Sequence, residues 1–433
     1  MGTTDITVDF YDTGGALYTT ATVSVTVVPA APAPPSGGSM TANITTENGA
    51  TEAVPITTSG SHVSAALSPA QGNALAAGAA LALTMPPVSE AASYAVTLPA
   101  DSLSEDEGGT LTVNTELGSI SMPSDMLSPL SGISGQTARI NIGRGSVSSL
   151  PNNVKEALGD RPIVQLTMSV NGTQTDWSNP DAPVTVAIPY TPTAEESANP
   201  ESIVVWYVDR DGSLNCVTNG RYDTLTGMVV FRITHFSDYA VDYNPVGFND
   251  VDEGAWYSKA VGYLAAREIT GGTGDGKFSP DAKLTRGEFI VMLMRAYGIS
   301  PDDDPTDNFS DAGSTYYTGY LAAAKRLGLV DGVGNNRYAP ERDITRQELF
   351  TLLYKTLTVI NRVPQGDSSK AISDFSDAGD IATWAMDAVA LLIETGIVEG
   401  NTGKLSPMDS GTRAEMAQML YKLEYLMQWL QTQ

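Results

Sequence analysis

Apolar residues recur every second position over residues 5–28, with Ile6, Val8 and Phe10 before Asp12-Thr13-Gly14-Gly15 and Ala21, Val23, Val25 and Val27 after it. A period of two around a glycine turn predicts a β-hairpin. Two strands cannot bury a sandwich core by themselves, so the hairpin reads as the end of a larger module. From about residue 40 to 245 the same period returns in short runs, among them Tyr94-Val96-Leu98, Leu111-Val113, Val164-Leu166-Met168, Val184-Val186-Ile188, Val204-Trp206-Val208 and Val229-Phe231-Ile233. Turn clusters separate them, including Asp106-Glu107-Gly108-Gly109, Asn171-Gly172, Asp209-Arg210-Asp211-Gly212 and Thr226-Gly227. Helical patterning is confined to residues 69–83 and 153–158, so a β-sandwich-like domain is expected.

Beyond residue 245 the period lengthens to that of a helix. Three apolar stripes appear: Phe289, Leu293 and Ala296; Leu349, Leu352, Leu353 and Leu357; Met416, Met419, Leu420 and Leu423. Ahead of each stands Thr-Arg-x-Glu, at Thr285 to Glu288, Thr345 to Glu348 and Thr412 to Glu415. Thr at N-cap accepts from the N3 amide while Glu at N3 reaches back to the N-cap amide, so each copy should start a helix. The Arg then falls at N1, beside amides that a helix leaves unpaired and at the positive end of its dipole. A guanidinium there suits an anion shared with those amides.

The three starts belong to a repeat. Phe248-Asn249-Asp250, Phe309-Ser310-Asp311 and Phe375-Ser376-Asp377 precede Arg286, Arg346 and Arg413 by nearly equal intervals. In between come an aromatic (Trp256-Tyr257, Tyr316-Tyr317, Trp384), a first helix (260–267, 321–327, 388–394), a glycine-rich stop, and a base-apolar-x-Pro turn at Lys277, Arg337 and Lys404. Three departures stand out. Glu268 replaces Gly328 and Gly396, and Gly411 replaces Leu284 and Ile344. Relative to the Phe landmark Tyr316 comes one residue early and Trp384 one late, so the third copy follows the pattern least closely.

Charge narrows the partners. Fifty acidic residues against 24 basic ones give a net charge of -26, which argues against nucleic acid or an anionic membrane as a general partner. No Lys or Arg precedes Arg139. The single cysteine, Cys216, rules out an intrachain disulfide and a Cys-based zinc site. Asp209-Arg210-Asp211-Gly212-Ser213 begins like a calcium loop but has no downstream Glu in register, and reads as a turn. No metal, cofactor or catalytic residue is assigned. No stretch approaches a transmembrane length, and the N-terminus lacks the pattern of a signal peptide. The chain is therefore expected to be a C-terminal portion of a longer precursor or to have lost its export signal.

The ordered landmarks, from Phe-x-Asp through the aromatic and the Gly stop to Thr-Arg-x-Glu, are similar to the S-layer homology family over residues 248–427. The resemblance implies an all-α pseudo-threefold bundle in which each repeat gives one central helix, with grooves between neighbouring repeats. It further implies that the grooves bind the secondary cell-wall polysaccharide of bacteria, typically through a pyruvate ketal on an amino sugar. By motif the carboxylate would meet Arg286, Arg346 and Arg413, and the sugar Asp250, Asp311 and Asp377. Trp256, Tyr316 and Trp384 are equally readable as stacking surfaces or as lids on small cores.

Residues 5–28 resemble the last strands of a bacterial immunoglobulin-like module, and His235-Phe236-Ser237 resembles the tripeptide cleaved in self-processing ZU5-type domains. The expected organisation is thus multidomain, an all-β N-terminal part followed by the helical repeats: an Ig-like hairpin at 1–28, a Pro/Gly/Ser linker at 29–39, a β-rich domain at 40–245, and repeats at 246–300, 307–362 and 373–430. The expected function is that of a secreted, non-enzymatic protein of the cell wall or S-layer. Its partners would be the pyruvylated wall polymer, a peptidoglycan-linked glycan, and neighbouring copies in a lattice. A wall-tethered polysaccharide-active enzyme and a protein cleaving itself at Phe236-Ser237 are the alternatives.

Overall fold

A computed structural model describes residues 2–11, 17–27, 40–146, 152–159, 161–209, 212–364 and 370–430. The Asp12 to Gly15 turn, the 29–39 spacer, Arg210, Asp211 and residues 365–369 of the second inter-repeat linker lie outside the described residues. Residues 1–40 form a unit of their own. In it β1 (Gly2–Tyr11) and β2 (Leu17–Val27) pair antiparallel, from Gly2 opposite Val27 to Phe10 opposite Thr19, as the two-residue period requires.

The second unit begins with strands β3 (Thr41–Thr46), β4 (Thr51–Ser59), β5 (His62–Ala66), β6 (Ala80–Thr84), β7 (Ser93–Pro99), β8 (Thr110–Thr115), β9 (Gly118–Pro123) and β10 (Thr137–Arg144). It continues with β11 (Ile163–Val170), β12 (Thr173–Gln174), β13 (Val184–Pro189), β14 (Ile203–Val208), β15 (Leu214–Cys216), β16 (Arg221–Asp223), β17 (Met228–Ile233) and β18 (Asp238–Tyr243). These join in one sheet of order β15-β14-β18-β11-β10-β7-β5-β4-β3-β6-β8-β9-β13-β17-β16, with β12 on β11. β4 belongs to both halves, since Thr51 to Pro55 pair with β3 and Ile56 to Ser59 with β5. The halves share a single core. Leu83, Leu111, Ile120, Val186 and Phe231 come to it from one half, and Tyr94, Val96, Ile140, Leu166 and Val241 from the other. Alternation along each strand supplies these inward residues.

Among the described residues three short α-helices, α1 (Pro69–Ala76), α2 (Asn152–Leu158) and α3 (Ala194–Ala198), decorate the sheet. The helix expected over 69–83 is corrected to its first half. Ser68 and Gln71 cap α1, Gly78 turns out of it at φ 95°, and residues 80–84 become β6 with Leu81 and Leu83 buried. α3 was legible but unread: Thr193 and Glu196 form a capping box there.

Among the described residues the repeats supply six α-helices: α4 (Ser258–Ala266), α5 (Arg286–Ala296), α6 (Thr318–Arg326), α7 (Arg346–Val359), α8 (Met386–Glu394) and α9 (Arg413–Leu430). α4, α6 and α8 are the first helices of each repeat, and α5, α7 and α9 the second. Their buried faces make a separate core, in which Leu264, Phe289, Leu293, Leu321, Leu353, Leu392 and Leu420 are all inaccessible to solvent. Helices do not build the centre alone. The residue before each second helix's N-cap closes a backbone ring: the Leu284 amide donates to the Gly411 carbonyl (2.9 Å), Gly411 to Ile344 (3.0 Å) and Ile344 to Leu284 (2.9 Å). Leu284 and Ile344 are fully buried in the repeat core. A Cβ at Gly411 would stand 3.0 Å from Leu349 Cδ1, so any larger residue there requires that side chain to shift.

The two cores are joined at β14, which is buried on both faces. Ile203 and Val205 face the sheet core, while Val204 and Trp206 pack with Val154, Leu158 and Ala266 of α4. One residue later Arg267, 1% exposed, reaches into the sheet domain. Its guanidinium donates to the carbonyls of Glu201 (2.6 Å), Ile203 (3.0 Å) and Gly220 (2.6 and 3.1 Å) and lies 3.6 Å from the Tyr263 ring centroid. A buried cation with this many acceptors is strongly held, and its loss strands them. Arg267→Met is expected to cost about 3 kcal/mol or more, and to split one calorimetric transition into separate sheet-domain and repeat-domain steps. Glu268 adopts φ 57° where the other repeats place glycine, so Glu268→Gly should stabilise by roughly 0.5–1 kcal/mol in a denaturant titration.

Candidate functional site

The Thr-Arg-x-Glu boxes form as expected. Thr285, Thr345 and Thr412 Oγ1 accept from the amides of Glu288, Glu348 and Glu415, whose carboxylates accept the N-cap amides in return. The expectation that the remaining helix-start amides await an anion is corrected. The N1 amides of Arg286, Arg346 and Arg413 donate to the carbonyls of Arg342, Asp409 and Ala282, and the N2 amides donate to Pro340, Pro407 and Pro280. Every central helix thus docks its free amides on the turn of the next repeat around the ring, which satisfies the donors that a helix end leaves open.

The arginines follow the same circuit. Arg286 Nε donates to the Tyr338 carbonyl (2.9 Å) and Nη1 to Glu348 (3.3 Å). Arg346 binds the Leu405 carbonyl (2.7 Å) and Glu415, and Arg413 the Phe278 carbonyl (2.8 Å) and Glu288 (3.1 Å). Each also lies over an aromatic ring, Tyr338, Phe350 or Phe278, at 4.5 to 5.4 Å. Arg286 and Arg413 are 4% exposed and the Arg346 side chain 14%. One Glu therefore serves two purposes, capping its own helix and pairing with the Arg of a neighbour. Sequence reading found the cap and missed the pair, since nothing local shows which repeat follows which in space.

The aspartates hold the turns that present those carbonyls. Asp250 accepts from the amides of Phe278 and Ser279, Asp311 from Tyr338 and Ala339, and Asp377 from Leu405 and Ser406, all at 2.7 to 3.1 Å. In every turn the second of these residues is left-handed, at φ 50° to 59°. The Phe278 and Ser279 amides hold the Asp250 carboxyl below its ordinary range. For Asp311 and Asp377 burial opposes, but the paired amides win and the shift is again downward. Lys277, Arg337 and Lys404 stand beside these carboxylates, with Arg337 Nε 3.3 Å from Asp311.

Trp256, Tyr316 and Trp384 are 62, 61 and 57% exposed. Each stands two residues before the start of a first helix, α4, α6 or α8. Their unequal spacing from the Phe landmark is absorbed in the connecting turns. A groove of about 610 Å³ shows how the parts meet: Trp256 of the first repeat, Arg346 of the second, and Glu399, Glu415 and Lys422 of the third line it together. Around the ring the counterparts are Arg413 with Glu288 and Asp250 beside Tyr316, and Arg286 with Glu348 and Asp311.

In the sheet domain His235 packs on Tyr207, with ring centroids 4.8 Å apart, while Ser237 Oγ donates to the Val208 carbonyl at 2.7 Å. His62 Nδ1 lies 2.7 Å from Ser93 Oγ, a pairing across parallel β5 and β7 that sequence reading missed. Ser93 sits within an extended strand, which is not a nucleophile elbow.

Residues 247–290, 308–350 and 374–417 match the S-layer homology domain, so the chain carries three S-layer homology repeats. Over 227 residues, 52% of this chain and 12% of the relative, it is 30% identical to an amylopullulanase of Thermoanaerobacterium thermosulfurigenes. That alignment is longer than the stretch from residue 247 to the C-terminus and so takes in part of the sheet domain. The chain is 29% identical over 180 residues to the S-layer protein sap of Bacillus anthracis, and 30% identical over 184 residues to an endoglucanase of Bacillus sp. strain KSM-635. It spans only 21 and 19% of those proteins' lengths. These matches indicate a cell-surface or cell-wall protein. Among the described residues no helix is long and apolar enough to cross a membrane.

Because Asp311 is lowered, it contributes stability above the carboxylate's ordinary pKa, and this is lost as pH falls through the folded value. Asp311→Asn should cost roughly 1–3 kcal/mol at pH 7 and lose less further stability between pH 5 and 2 than the parent, read from denaturant midpoints.

Proposed function

We propose that this is a non-enzymatic surface protein held without covalent linkage on the secondary wall polysaccharide by a pseudo-threefold set of grooves, displaying its β domains outward. Arg286, Arg346 and Arg413 meet an acidic sugar substituent such as a pyruvate ketal, Asp250, Asp311 and Asp377 bound the sugar, and Trp256, Tyr316 and Trp384 stack on its face. Peptidoglycan-linked glycan and neighbouring copies in a lattice belong to the same reading. The observation that carries it is the Arg346 groove, lined both by a largely exposed indole and by a guanidinium fixed by a carbonyl and a carboxylate. A chain of charge -26 repels an anionic polymer at long range, so affinity must arise from such short-range, pre-oriented contacts.

The arginines are poor probes, because they also tie the repeats together. The exposed rings are better. Replacing Trp256, Tyr316 and Trp384 with Ala should leave the melting temperature within a few degrees of the parent and reduce pull-down by purified sacculi at least about tenfold. Full binding by this variant would overturn the assignment of the rings. Chemical removal of pyruvyl groups from the sacculi should have the same effect on the parent protein, and unchanged binding would remove the acidic substituent from the reading.

The second reading, a wall-tethered enzyme acting on polysaccharide, is favoured by the enzyme names among the relatives. Release of reducing ends from wall or plant glycans by the purified chain would establish it in place of the first.

A further inference from the structure

The three grooves differ in one respect that the repeat pattern hides. Nine residues after the groove arginine, on each central helix, stands a base: Lys422, Lys355 or Arg295. Lys422 is paired with Glu399 and Lys355 with Asp331. Each of those acids directly precedes a left-handed glycine, Gly400 or Gly332. In the first repeat the same place before Gly272 is taken by Gly271. Arg295 accordingly turns to the Tyr320 hydroxyl at 3.1 Å and the Glu268 carbonyl at 3.5 Å.

The missing acid coincides with an opening. Thr270, Gly271 and Arg295 line a cleft of about 760 Å³ between the first repeat and the sheet domain. Thr270 is shared with the Arg413 groove, its Oγ1 lying 3.5 Å from Arg413 Nη2. The opposite wall is contributed by Tyr207, Asn215, Thr218 and Asn244, with the Tyr320 ring at one side. Phenol rings, side-chain amides, a hydroxyl and a guanidinium form a wall suited to the alternating apolar faces and hydroxyl edges of sugar rings. Glu268, also on the rim, adds an acceptor for a hydroxyl.

We infer that the Arg413 groove continues through this cleft into an extended glycan site, in which the sheet domain grips inner sugar units of the chain whose acidic end lies at Arg413. The inference rests on the wall-polysaccharide reading. The Arg346 and Arg286 grooves, which carry the ion pairs of Lys422 with Glu399 and of Lys355 with Asp331 at this point, take the end of a chain only.

Gly271→Asp tests this cleanly, because a Cβ at Gly271 meets nothing within 4 Å and the backbone there is not left-handed. The substitution restores the acid of the other repeats beside Arg295. Asn215→Trp fills the cleft from the sheet side. With the full chain and wall-polysaccharide fragments of defined length, measured by calorimetry, short terminal fragments should bind parent and both variants alike. Long fragments should bind the parent about tenfold more tightly than either variant. Equal affinity of the parent and both variants for long fragments overturns the extension while leaving the groove reading intact. Failure of the parent to bind short and long fragments alike overturns both. Loss of binding to short fragments in Gly271→Asp alone would show that the site is confined to the groove, and would also overturn the extension.

Discussion

The repeat region depends on a closed circuit of contacts between helix starts and neighbouring turns. Each central helix gives its N1 and N2 amides to the turn of the next repeat, and its arginine bonds a carbonyl of that turn and the cap glutamate beyond it. The aspartate of Phe-x-Asp in turn holds that turn in its left-handed form. Helix ends must find partners for their donors, and here the partners are in another repeat. No repeat is complete without the next, which is the physical reason that three helix pairs, each too small to bury its own apolar face, fold as one body.

That circuit also changes what an arginine at a groove can be. A guanidinium immobilised by a carbonyl and a carboxylate needs no ordering when a ligand arrives, and its charge is already offset by that carboxylate. Under the wall-polysaccharide proposal such a site favours ligands that also offer a ring face and hydroxyls over bare anions, in keeping with the exposed Trp256 in the Arg346 groove and Tyr316 near Arg413. The repeats are joined to the sheet domain through Arg267 and Ala266, with the Thr218 and Asn244 side chains bonding the Ala296 and Ala266 carbonyls. Sheet and anchor therefore form a continuous surface on that side, with a cleft between them. Deep in the same junction Glu424 has its pKa pushed up to about 7 by burial, partly offset by Arg362, Arg232 and Arg267. A raised acid favours the fold below its folded pKa, so this group makes the junction more stable on the acid side of neutrality.

Local chemistry was legible without coordinates wherever a motif carries its own geometry. The period of two in β7, β11, β13 and β17 and the boxes at Thr285, Thr345 and Thr412 involve residues a few positions apart, so propensity and pattern decide them. The same reasoning overran at 69–83, because alanine and leucine suit a helix and a buried strand alike and only the turn at Gly78 with the pairing of β6 to β8 separates them. It stopped short at β14, whose two buried faces require knowing that a helix of the first repeat covers the outer one.

From the order of residues alone came the β-rich part, the three helix starts, the landmarks of the repeat, and the arginine, aspartate and aromatic positions of each copy. Tertiary structure alone decided that the helix-start amides are spent on neighbouring turns, that each arginine pairs with the glutamate of a different repeat, that Trp256 shares a groove with Arg346, and that Gly271 lines a cleft against the sheet domain. The division has a plain cause. Capping and alternation are set within a turn or two of chain, whereas partners dozens of residues apart are chosen by how the repeats link into a ring of contacts, which no local stretch of sequence displays.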